Sequence, residues 1–176
     1  LRFNTRVLEE AQNARHPLLE RLKFLAIYGT NLDEFYMIRA AGLQEMFKMG
    51  INAVGADKMT PIGQLSAIRE YTHKEKLAVE AAYKEIVGLL AREELFVKKY
   101  SELNEEMQKK ADTYFFSSLY PVIIPIAIDA THPFPHLNNL SFGLAVKLLD
   151  KEDKHTVKFG LIRIPRVLNR FVEIST

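Results

Sequence analysis

One change of pattern constrains this chain more than any other feature. Apolar residues recur at helical spacing as far as about residue 93. From Pro121 onward the sequence instead becomes rich in β-branched and aromatic residues that favour strands. A chain built this way belongs to the α+β class, with an amino-terminal helical bundle over 1–93 and a partial mixed α/β region over 94–176.

The helical part divides at its prolines and glycines. Phe3, Val7, Leu8 and Ala11 make a stripe predicting a short helix from about residue 4 to 14, with Asn4 or Thr5 as its cap. Pro17 stops that helix and starts the next, because proline disfavours helix at the residue before it and suits a first turn. Leu18, Leu22, Leu25 and Ala26 continue the pattern to Gly29, where a left-handed residue could close the helix. Thr30 and Asn31 then read as caps of a third helix, with Asp33 and Glu34 in its first turn and an end near Gly50. On this reading the chain bends at Gly29 and holds Asn31 at the apex. An apex Asn serves either as a structural cap or as a ligand contact, since its amide has donors left after capping.

Gly55 and Asp57 mark a loop, and Thr60-Pro61 opens a helix of about 50 Å reaching about Glu93. Leu65, Ile68, Val79, Tyr83, Ile86 and Leu90 supply its inward face, with Glu70, Lys74, Glu75 and Lys84 solvated. Four helices with short connections predict an antiparallel bundle. Ser101 or Asn104 caps a further helix running through Met107, Ala111, Tyr114 and Phe115. Val122–Ile128 reads as a strand tolerating Pro125, and Leu140–Leu149 as a second. A polar turn over Asp150–Lys154 leads to a partner strand, Thr156–Ile164, and Arg170–Ile174 is a candidate for another.

Composition excludes several functions. The 176 residues carry 24 Lys plus Arg against 22 Asp plus Glu, a balance that argues against nucleic acid as a partner. Absence of cysteine rules out disulfides and thiolate metal sites and fits a reducing cytosol. No apolar run approaches the roughly 20 residues of a spanning helix. The eight glycines never take phosphate-loop or dinucleotide spacing. His132 and His136 stand four apart, but Pro133 and Pro135 prevent the helix that would let both face one metal. His16, His73 and His155 read as loop, helix-surface and turn residues. Asp33 and Glu34 are adjacent, which suits capping rather than paired acid and base work. Arg2, Arg6, Arg15, Arg21 and Lys23 form either an ordinary solvated face or one that meets a polyanion.

Certain stretches carry a resemblance that periodicity does not supply. FNTRVLEEA, then HPLLERLKFLAIYGTNLDEFYMIRAAGL, resembles the opening of the long, histidine-phosphorylating polyphosphate kinases. PVIIPIAIDATHPFPHLNNLSFGLAV and RIPRVLNRFV resemble later segments of the same family, in family order. The resemblance implies a helical amino-terminal domain followed by the start of a head domain that mediates assembly into a dimer or tetramer. It implies an enzyme that reversibly transfers the terminal phosphate of ATP to inorganic polyphosphate, so ATP, ADP and polyphosphate are the expected partners. It also implies Mg²⁺ as cofactor, bound by domains outside this stretch, and a phosphohistidine that none of the present histidines supplies. No catalytic residue is therefore expected here, and Asn31, within Asn-Leu-Asp-Glu-Phe, is the ATP contact the resemblance carries over. Gly29-Thr30 departs from the small polar pair often found before that Asn. The competing expectation is a non-catalytic helical module whose sheet edge pairs with another subunit.

Overall fold

A computed structural model describes residues 1–52, 54, 58–149 and 157–174. The described chain forms two compact units, Leu1–Val97 and Lys98–Thr176. The expected loop residues Gly55 and Asp57, the turn Asp150–Lys154 with Thr156, and His155 lie outside the described residues.

The first unit is helical. Helix α1 spans Arg2–Gln12, α2 Leu18–Phe35, α3 Ala41–Lys48 and α4 Pro61–Arg92. A π-helical turn, Tyr36–Ala40, joins α2 to α3 without a break. The bend expected at Gly29 therefore does not form, and three helical rods stand where four were expected.

The reason lies in what the neighbouring side chains do. Leu25 and Tyr28 are buried in one core with Val7, Leu8, Ala11, Ala82, Ile86 and Leu90, and Leu32 packs against it from the next turn. Ending the helix at Gly29 would strip part of that face, which outweighs the roughly 1 kcal/mol a helical glycine costs. Thr30 does not cap. Its hydroxyl donates to the Ala26 carbonyl one turn back, 3.0 Å away. Asn4 and Thr5 do not cap either, since α1 begins before them and both side chains point across the bundle.

Other signals act as the sequence suggests. Thr60 accepts from the Gly63 backbone N–H, with Pro61 in the first turn of α4. Gly50, at φ 70°, ends α3. Around it the N–H groups of Ile51 and Gly50 donate to the carbonyls of Met46 and Phe47, the paired bonds of a left-handed helix stop. Helices α2 and α4 run antiparallel: Arg21 bonds Glu85, Tyr28 bonds Glu75, Tyr36 bonds Thr72 and Arg39 bonds Gln64. One of these pairs overturns an expectation, because Glu75 is only 9 % exposed rather than solvated.

In the second unit, Asn104 caps α5, Glu105–Tyr114, by accepting from the Met107 N–H at 2.9 Å. Short π and 3₁₀ turns, Phe115–Leu119 and Tyr120–Val122, follow. The strands are β1 Pro125–Ile128, β2 Phe142–Leu149 and β3 Val157–Ile164. They form an antiparallel sheet in the order β1-β3-β2. Pro125 opens β1, a position where proline's missing N–H is tolerated. Arg170–Ile174 forms no strand. Leu161, buried at the centre of β3, faces Ile126 on one side and Ala145 on the other. Gly143 permits the close approach of β2 to β3, since a Cβ there would lie 2.8 Å from the Ile162 carbonyl oxygen.

Candidate functional site

Asn31 occupies the interior of α2, half-buried where α1 crosses it. Its Nδ2 donates to the Asn4 Oδ1 at 3.1 Å, and the Asn4 Nδ2 donates to the Tyr28 carbonyl oxygen at 3.1 Å. Asn4 is 5 % exposed, so this short relay runs from the core outward to Asn31. A capping Asn would have turned its oxygen to a backbone N–H, whereas here an amide N–H is turned inward to a side chain.

The relay sits beside a second one. The Tyr28 hydroxyl donates to the Glu75 Oε2 at 2.8 Å, and the Thr5 hydroxyl donates to the other carboxylate oxygen. Having used its one proton, Thr5 accepts from Tyr71. Burial, and then the hydrogen bond to Glu75, push the Tyr28 phenol well above its ordinary pKa, so it remains a donor throughout the accessible pH range. The Glu75 carboxylate is thus stabilised by hydroxyls instead of a cation. Together the two relays pin α1, α2 and α4 around Asn31, and among the described residues no buried side-chain nitrogen or oxygen lacks a partner.

In the second unit, Asp129 organises the start of the proline-rich loop. Its Oδ1 accepts from the Thr131 N–H and the His132 N–H at 2.8 Å and from the Thr131 hydroxyl at 2.6 Å. These bonds, the Thr131 hydroxyl foremost, hold the Asp129 carboxyl well below the usual carboxylate range. The His132 Nδ1 lies 3.1 Å from the same oxygen. A cavity of about 410 Å³ beside the sheet is lined by Val122, Ile124, Phe142, Arg163 and Arg166 among others. Among the described residues, no three His, Asp or Glu side chains converge as metal ligands.

Two family models match successive parts of the chain: the polyphosphate kinase N-terminal domain over residues 1–98 and the polyphosphate kinase middle domain over residues 106–176. The chain belongs to the polyphosphate kinase family. A polyphosphate kinase of Campylobacter jejuni is 60% identical over 175 residues, covering 99% of this chain and 25% of the relative. One from Helicobacter pylori is 46% identical over 175 residues, covering 99% of this chain and 26% of the relative. The crystal structure of polyphosphate kinase from Porphyromonas gingivalis superposes with a TM-score of 0.80 at 26% identity, covering 99% of this chain and 25% of that one. The chain thus spans about a quarter of the length of the relatives it matches. In this family frame, Asn31 lies in the N-terminal-domain part of the chain, in a helix interior and not at an apex.

Three residues of this cluster escape the sequence reading. Asn4 and Thr5 resemble caps, and Glu75 resembles a solvated charge. A signal for two of them exists: Asn4 precedes Val7, Leu8 and Ala11 on their own stripe, and Glu75 precedes Val79, Ala82 and Ile86 on theirs. A polar residue in step with a buried stripe is a buried polar residue with partners.

Proposed function

We propose that this chain is the amino-terminal part of an enzyme that reversibly transfers the terminal phosphate of ATP to inorganic polyphosphate. Its own contribution is a contact from Asn31 to the adenine side of ATP and, in the second unit, an assembly surface for a homo-oligomer. Mg²⁺ and the phosphohistidine belong to residues outside this chain. The family match across both units is the observation that carries this reading. The polar cluster around Asn31 supports it further, because satisfied relays from Asn4 and Glu75 hold that position rigidly, as a ligand contact requires. For assembly, support comes from β2, an edge strand with Phe142, Leu144 and Leu148 exposed.

The test uses the full-length protein with ATP, Mg²⁺ and a polyphosphate primer. Asn31→Ala should raise KM for ATP by about five- to tenfold, the value of one lost hydrogen bond, with kcat within about twofold. Unchanged kinetics would favour the competing reading, a structural and assembly role with no nucleotide contact.

A further inference from the structure

The orientation of the Asn31 carboxamide is decided two residues away, in the core. The Tyr28 carbonyl oxygen can only accept, so Asn4 must turn its NH₂ toward it. That leaves the Asn4 Oδ1 facing Asn31, which must in turn point its own NH₂ inward. Flipping either amide would set oxygen against oxygen or N–H against N–H. The Asn31 Oδ1 is left without a hydrogen bond among the described residues, on a side chain that is half-buried rather than sealed. The group on offer is therefore a fixed acceptor.

We infer that Asn4 is a positioning residue for nucleotide choice: through the Tyr28–Asn4–Asn31 relay it presents a carboxamide oxygen that selects a purine with a 6-amino group over one with a 6-oxo group. This rests on the proposed contact between Asn31 and ATP and deepens it. Adenine offers a 6-amino donor to that oxygen. Guanine offers a 6-oxo acceptor, and two facing lone pairs repel. A site built to bond a donor rejects an analogue lacking it, because its own polar group is left unpaired. Free rotation of Asn31 would remove the choice, since a carboxamide turned over presents N–H to guanine as readily as oxygen to adenine.

The experiment compares kcat/KM for ATP and GTP in the full-length protein carrying Asn4→Leu or Asn4→Asp. Leucine removes both bonds and frees the Asn31 amide. Aspartate loses the bond to Tyr28 but still accepts from Asn31, so it keeps the outward oxygen in place. The unsubstituted protein should prefer ATP by about tenfold or more. Asn4→Leu should bring the ratio to within about threefold of unity, and Asn4→Asp should retain it. A structural role alone would lower stability in both variants and leave both ratios alike.

If Asn4→Leu does not fold, Asn4→Ala gives the same reading, since it also removes both bonds and frees the Asn31 amide: the ratio should fall to within about threefold of unity while Asn4→Asp retains it. Equal ratios in both Asn4 variants, or no preference in the unsubstituted protein, would overturn the inference. Failure of the underlying contact looks different, because Asn31→Ala would then leave KM for ATP unchanged.

Discussion

Arg21 holds the first unit together in a way that can be measured. Its side chain is 2 % exposed, with Nε donating to the Ala11 carbonyl oxygen and Nη2 to the Glu85 Oε1, each at 2.8 Å. Ala11 lies in the last turn of α1, where carbonyls lack intrahelical donors and the helix dipole favours a cation. Glu85, by contrast, is 57 % exposed, so its ion pair is screened by water. The two bonds are therefore unequal. Replacing Arg21 with Ala removes a charge-assisted bond to a buried carbonyl, about 1.5–3 kcal/mol, and the dipole interaction, about 0.3–1 kcal/mol. Some packing of the aliphatic stem goes with them. A loss near 3 kcal/mol should speed hydrogen exchange of the α1 amides by about two orders of magnitude if they exchange through local opening. Glu85→Ala should cost no more than about 1 kcal/mol, roughly a fivefold change. Equal effects of the two substitutions, or an Arg21→Ala effect below tenfold, would refute this division of labour.

Gly29→Ala should stabilise α2 by about 0.5–1 kcal/mol, because the position is helical and a Cβ there meets nothing within 4 Å. Thermal or urea unfolding reads the sign, and destabilisation would mean that the chain turns left-handed at residue 29 after all. Asp129 provides a pH test. Its folded-state pKa is depressed, so its contribution to the loop is fully present above the ordinary carboxylate value near 3.9 and is lost only as pH falls through the lower folded value. The amide resonances of Thr131 and His132 should therefore hold their positions from neutral pH to below about pH 3.5, and a midpoint at about 3.9 would contradict the hydrogen-bonded account.

What could be read from the sequence was the local chemistry of stops and starts. Pro17, Thr60-Pro61, Gly50 and Asn104 act where their backbone preferences say they should, because nothing in the surrounding packing opposes them. Gly29 carries the same kind of signal and is overruled, since Leu25, Tyr28 and Leu32 need one unbroken face against α1 and α4. Glu75 fails for the related reason that charge was weighed above its place in the helical stripe, although Tyr28 and Thr5 satisfy it in the core. The extra residue accommodated by the π turn at Tyr36–Ala40 has no single-residue signature. In the second unit the strands were legible from their composition. Their order was not, because the centre of the sheet goes to β3, the last of the described strands. Asn31 is a candidate through family likeness, and the orientation of its carboxamide follows only from the positions of Asn4 and the Tyr28 carbonyl.

The most direct measurement is a structure of the full-length protein bound to a non-hydrolysable ATP analogue. The Asn31 Oδ1 should lie about 2.8–3.2 Å from the adenine amino nitrogen, with Nδ2 still bonded to Asn4. A nucleotide bound with its base beyond about 6 Å from Asn31, and with no ordered water between them, would contradict the role assigned to this helix.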